Sequence, residues 1–283
     1  MNALLQFLLV TQFSFATLGQ DTATLSQEEG VEAWHQRRIR SLQRDLGWLT
    51  LVGLDWLNEG ENRIPDVGLV TLKNGRVTAS VSDTSRATLN RNPFAVGEIS
   101  PEGGSLPPDT LRISTRTAVV IKRGDRFAIR VWDKEAKTRK EFSGIERYPV
   151  SPEWRIEARW QPYDPPKQIR VPTVIPGLEE DYPVPGVAVF TLGGKEYRLE
   201  PVLEEPNGDY FFIFGDKTNG GETYGAGRFL YTKPAWNGTV IINFNKAYNP
   251  PCAFTEFATC PLPPPGNKLP IRVDAGEKKY GGH

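Results

Sequence analysis

Apolar residues recur along the chain with two periods, and the change from one to the other divides it. In SQEEGVEAWHQRRIRSLQRDLGWL, Val31, His35, Ile39, Leu42 and Leu46 fall at steps of four, four, three and four, which lays them on one helical face. Ser26 and Glu29 stand ahead of them at capping-box spacing. The pattern predicts one amphipathic helix near residues 27–45, with the arginines at 37, 38, 40 and 44 on its wet side.

Beyond Trp48 the period falls to two. Short apolar runs are joined by turn pairs: Asn74-Gly75 in LVTLKNGRVTASV, Gly124-Asp125 in TAVVIKRGDRFAIRVWD and Gly193-Gly194 in VAVFTLGGKEYRLEPV. Asn-Gly is the strongest of these signals, because both central positions of a type I′ turn take positive φ. Three hairpins are expected, with further strands over 209–214, 228–232 and 238–245. The fold class is therefore mainly β, with antiparallel sheets arranged as a sandwich or barrel behind an N-terminal helix. Two proline-rich joints, 91–109 and 162–186, are short enough to be surface loops, so residues 20–283 are expected to form a single β-rich domain.

Composition adds an address and removes some partners. Residues 1–20 carry no charged side chain, and their apolar content peaks at Leu4-Leu5 and Phe7 to Val10, which resembles a secretory leader over 1–19. Gln6, Thr11, Gln12 and Ser14 break that run short of the roughly 18 to 20 residues a span requires. The expectation is an exported chain, periplasmic or secreted, with no stable membrane span once the leader is removed. Lys+Arg and Asp+Glu both number 34, and no basic block occurs, so a nucleic acid has no electrostatic footprint here.

Histidine is nearly absent. His35 lies on the apolar helix face, where it is expected to pack, and His283 ends the chain. No G-x-S-x-G elbow and no H-E-x-x-H pattern occurs, so neither a serine-histidine hydrolase nor a histidine-bound metal is expected, and no cofactor is implied. The glycine-rich loop GDKTNGGETYGAGR, 215–228, joins two strands, and its glycines match neither G-x-G-x-x-G nor G-x-x-x-x-G-K-[ST]. That leaves a polar loop bearing Asp216, Thr218, Glu222, Thr223, Tyr224 and Arg228.

Both cysteines, Cys252 and Cys260, sit in NFNKAYNPPCAFTEFATCPLPPPGNKL, framed by prolines that restrict φ. Their spacing is neither the C-x-x-C redox pattern nor half of a zinc site. Three readings stay open: a disulfide in an exported protein, a thiol nucleophile at Cys252, or two inert buried thiols. Loop 215–228 and block 243–277 together gather polar groups among glycines and prolines, the setting of a small-ligand or hydrolytic site. The expected ligand-binding side chains are Thr223, Tyr224, Arg228, Asn245, Asn249 and Asn267, with Arg228 holding an anionic group. For hydrolysis, Asp216 or Glu222 would serve as base and Glu277 as acid. The ligand would be a small molecule or a carbohydrate, for which the seven tryptophans offer surfaces. The alternative is a non-catalytic protein of the cell envelope, binding or structural, in which the same residues satisfy turn backbones.

GWLTLVGLDWLNEGEN, FAIRVWDKEAKTRKEFSGIERYPVSPEWRIEA, GGETYGAGRFLY and the cysteine block through RVDAGEKKY together resemble a bacterial and archaeal family, domain of unknown function 1684. The resemblance runs over roughly residues 32–280 and is most specific in the final third. It implies no activity. Relatives without an export signal keep both cysteine positions, which speaks against a purely oxidative staple. The family's Asp-Phe-Asn is Asn243-Phe244-Asn245 here, which lowers any catalytic role for position 243.

Overall fold

The computed structural model describes residues 26–102 and 107–281. The expected leader, 1–19, and His283 lie outside the described residues. Helix α1 spans Gln27–Leu42, and its start is the expected capping box: Glu29 N–H donates to Ser26 Oγ at 3.2 Å and Ser26 N–H to Glu29 Oε2 at 2.8 Å. It ends three residues sooner than the periodicity suggests. The chain turns so that Leu49 N–H bonds the Leu42 carbonyl, and Leu46, off the helix, is 48% exposed. No described helix is long and apolar enough to cross a membrane.

The rest is dominated by strands: β1 (Leu51–Trp56), β2 (Gly60–Ile64), β3 (Gly68–Lys73), β4 (Arg76–Val81), β5 (Ala87–Leu89), β6 (Asn92–Pro93), β7 (Val96–Glu98), β8 (Leu111–Ile113), β9 (Arg116–Arg123) and β10 (Arg126–Asp133). After a short helix α2 (Lys137–Lys140) come β11 (Arg155–Pro172), β12 (Glu179–Leu192), β13 (Lys195–Leu199), β14 (Tyr210–Phe214), β15 (Arg228–Thr232) and β16 (Thr239–Asn243). All pairings between these strands are antiparallel, and the three expected hairpins are β3–β4, β9–β10 and β12–β13. At the first of them Asn74 and Gly75 both take positive φ, as a type I′ turn demands.

Two layers of the first half, ordered β1-β10-β9-β8-β5-β6 and β2-β3-β4-β7, enclose one core that includes Val70, Val77, Val120, Phe127 and Ile129. In the second half, β13-β12-β11-β16 and the pair β14–β15 enclose another, with Phe190, Phe212, Phe214, Leu230 and Phe244.

What positions the site is the period of two on three strands. In β10, Phe127, Ile129 and Val131 enter the first core, so Arg130 and Trp132 take the other face. In β14, Tyr210, Phe212 and Phe214 enter the second core, which turns Phe211 and Ile213 away from it. In β15, Leu230 enters that core and Phe229 turns to the other face. The turned faces of β14 and β15 meet in a third apolar cluster containing Val184, Phe211, Ile213, Phe229, Ala258 and Cys260, and a cavity that Arg130 of β10 also lines opens beside it.

Candidate functional site

The polar residues picked out by sequence are drawn inward, and most are occupied. Arg228 and Asp216 are an ion pair at 2.7 Å with neither side chain exposed. Arg228 Nη2 also donates to the Val273 carbonyl at 2.8 Å and Nη1 to that of Ala275. Asp216 Oδ1 accepts from the backbone N–H groups of Thr218 and Val273. This pair fastens the glycine-rich loop to the C-terminal segment.

Glu277 is fully enclosed. It accepts from Arg38 Nε and from the Asn249 backbone N–H, both at 2.8 Å, and from Asn249 Nδ2 at 3.2 Å. Gly276 makes that geometry possible, because its φ is +79° and a Cβ there would lie 2.4 Å from the Ala247 carbonyl oxygen. Asn267 spans Glu200 N–H, Glu200 C=O and Ile213 C=O, and Asn245 takes both backbone groups of Ser151. Thr223 bonds Thr218, and Tyr224 donates to the Cys252 carbonyl at 3.1 Å. Glu222 lies outside, paired with Arg272 at 2.7 Å. The candidate acid and base of a hydrolytic centre are thus each held by a separate partner. Asp216 borders its own hollow of about 410 Å³ with Lys217 and Asn219.

No bridge joins the two cysteines. Both are free, although they are neighbours: Cys252 N–H donates to Cys260 Sγ at 3.1 Å. Cys260 is buried on the wall of one cavity, while Cys252 lines another with Tyr224 and Phe257. Burial pushes the Cys260 thiol up, and its hydrogen bond holds the Cys252 thiol below the usual range.

The cavity of about 470 Å³ beside the third cluster has a different character. Arg38, Arg123 and Arg130 line it. Arg38 is balanced by Glu277, and Arg123 is bonded to Glu102 and stands 3.5 Å from Glu180 Oε1. Arg130 has neither kind of partner among the described residues. It is 5% exposed, its Nε bonds nothing, and two aromatic rings lie against it, Trp48 at 5.5 Å and Trp132 at 6.0 Å. Burial lowers its pKa to about 10, which leaves it charged at neutral pH.

An aromatic wall and two phenol–carboxylate pairs complete the lining. Tyr231 stacks on Phe211 with centroids 4.5 Å apart and rings 12° from parallel, and Arg38 covers Tyr248 at 4.2 Å. Tyr182 donates to Glu180 and Tyr231 to Glu204. Burial first, then the bonded carboxylate for Tyr182 and neighbouring Tyr248 for Tyr231, raises both phenols, so each keeps its proton. The lining also holds the Thr259 hydroxyl and the Cys260 thiol, and burial keeps that thiol protonated.

A family model described as protein of unknown function, DUF1684, matches residues 140–278. The chain carries a DUF1684 region. Among solved structures, the solution NMR structure of an uncharacterized protein of Haloarcula marismortui is 28% identical over 52% of this chain and 82% of that one, with a TM-score of 0.44. No curated protein matches the chain.

The boundary of the DUF1684 match cuts through the cavity. Glu180, Tyr182, Glu204, Tyr231, Tyr248 and Cys260 lie within it, and Arg38, Arg123 and Arg130 precede it. The DUF1684 region supplies the aromatic wall and the acceptors, while the N-terminal half supplies every arginine. Sequence reading missed this cavity. The available signal was Arg130 itself, an arginine inside the apolar strand FAIRVW where a hydrophobic residue would ordinarily stand.

Proposed function

We propose that the protein binds a small organic anion in the 470 Å³ cavity between its two halves. What carries this reading is Arg130, a guanidinium 5% exposed, charged at neutral pH and without a hydrogen-bond partner at Nε. An unpaired buried charge costs several kcal/mol in the free protein, so a fold that retains one has a use for it. A carboxylate or phosphate oxygen entering the cavity would meet a planar donor fork whose surroundings already exclude water. The volume suits a metabolite-sized ligand, and the aromatic wall provides contact for its apolar part. Binding without turnover is favoured, because Asp216 and Glu222 are tied to arginines away from the cavity and Glu277 is held by Arg38 and Asn249. Export belongs to the same reading and rests on residues 1–19 alone.

The test is a tryptophan-fluorescence titration with acetate, benzoate, inorganic phosphate and glucuronate, since Trp48 lies on the cavity wall beside Arg130. At least one probe should give a saturable change that Arg130→Met abolishes and Arg272→Met, altering an exposed arginine away from the cavity, leaves intact. No saturable response, or the same response in Arg130→Met, would refute the reading.

A further inference from the structure

The anion-binding reading leaves open what else the ligand carries, and the rest of the cavity lining bears on that. Two acceptor pairs stand there, Tyr182 with Glu180 and Tyr231 with Glu204. Each phenol spends its hydrogen on its own carboxylate, so what the pair offers a ligand is oxygen lone pairs that accept hydrogen bonds. A purely apolar acid filling the cavity would strip water from these oxygens and return nothing, which is costly. The ligand therefore carries donor groups away from its anion.

There are two pairs, on separate elements: Glu180 and Tyr182 on β12, Glu204 on the connection to β14 with Tyr231 on β15. A single ammonium group would serve one of them. Glu180, moreover, already stands 3.5 Å from Arg123, so it suits a neutral donor better than a second cation. Several hydroxyl groups spread around a ring would serve both. One member of the second pair, Tyr231, stacks on Phe211 and is 40% exposed. The C–H face of a saturated sugar ring, weakly positive, fits against the negative face of such an aromatic ring. We propose that the ligand is a sugar acid, a ring bearing several hydroxyls and one carboxylate, with the carboxylate on Arg130, the ring against Tyr231 and the hydroxyls on the Glu180 and Glu204 pairs. This rests on the anion-binding reading and narrows it to one chemical class.

The experiment is isothermal titration of the full chain with glucuronate and galacturonate, set against glucose and galactose, which lack the carboxylate, cyclohexanecarboxylate, which lacks the hydroxyls, and phenylalanine, which carries one ammonium group. At least one hexuronate should bind tenfold or more tighter than its neutral sugar and than cyclohexanecarboxylate. Arg130→Met should reduce that hexuronate to the level of the neutral sugar. Glu204→Gln should weaken the hexuronate and leave cyclohexanecarboxylate unchanged. Cyclohexanecarboxylate or phenylalanine binding as well as either hexuronate would overturn the sugar-acid class while leaving the anion reading in place. Failure of every anion to bind better than the neutral sugars would overturn both.

Discussion

The guanidinium of Arg130 lies 5.5 Å from the centre of the Trp48 ring, and the described residues place no carboxylate in a salt bridge with it. Its neighbour in the cavity, Arg123, is held by Glu102 and faces Glu180, so the acids available nearby serve the other arginine. A guanidinium against aromatic rings recovers part of its lost hydration through the ring quadrupole, about 2 kcal/mol when desolvated. The remainder is the debt that a bound anion would settle.

The Arg228–Asp216 pair makes a structural prediction. Both side chains are fully buried, and Asp216→Asn removes one charge while leaving the other in place. The loss should be about 3 to 5 kcal/mol, read as a lower urea midpoint. Anion binding in the cavity should persist in the fraction that remains folded, because Arg228 faces the other side of β15. A loss within about 0.5 kcal/mol would show that the pair does not fasten the loop.

His35 predicts an acid-side dependence. Its Nδ1 lies 4.0 Å from Glu277 Oε1 and bonds nothing, and burial, outweighing the pull of Glu277, sets its pKa below the ordinary value. The unfolded chain, with an imidazole pKa of about 6.5, then takes up the proton more readily than the folded one. The contribution of His35 is complete above about pH 6.5 and is lost as the pH falls from there through the lowered folded value. Urea midpoints across this range should fall toward acid in the wild type and fall less in His35→Gln. Parallel curves would contradict the assignment.

The thiols should differ in reactivity. Cys252 is half-buried and its pKa is lowered by the hydrogen bond from Cys260, whereas Cys260 is buried with its pKa raised. Since the thiolate is the reacting form, iodoacetamide should modify Cys252 first in the reduced native protein. Peptide mass spectrometry after partial alkylation reads the order, and Cys260 modified first would reverse the picture.

Much of the fold was legible because it follows from local rules. The capping box at Ser26 and Glu29 and the turns at Asn74-Gly75 and Gly193-Gly194 all act within a few residues, and the structure contains each. The C-terminal block was read correctly as a place where polar groups converge, since Asn249 and Glu277 do meet there. Their purpose was not legible. An asparagine that holds a ligand and one that spans Glu200 and Ile213, as Asn267 does, look alike in sequence. Arg228 and Phe229 show a second limit: they are adjacent in the chain and face opposite sides of one strand, so a shift of one position decides which lies by the cavity. Arg130 and Glu204 are 74 positions apart, and no local pattern brings them to one cavity.

The most direct test of the anion site is the urea midpoint of wild type and Arg130→Met, each with and without the anion selected by the fluorescence titration. A ligand that binds only the folded state raises the midpoint, and replacing an unpaired buried charge with an apolar side chain of similar volume removes a cost. The account predicts that the wild-type midpoint rises with the anion, while Arg130→Met starts at or above the wild-type value and does not move. A variant that starts about 2 kcal/mol or more below wild type, or that responds to the anion as wild type does, would contradict it.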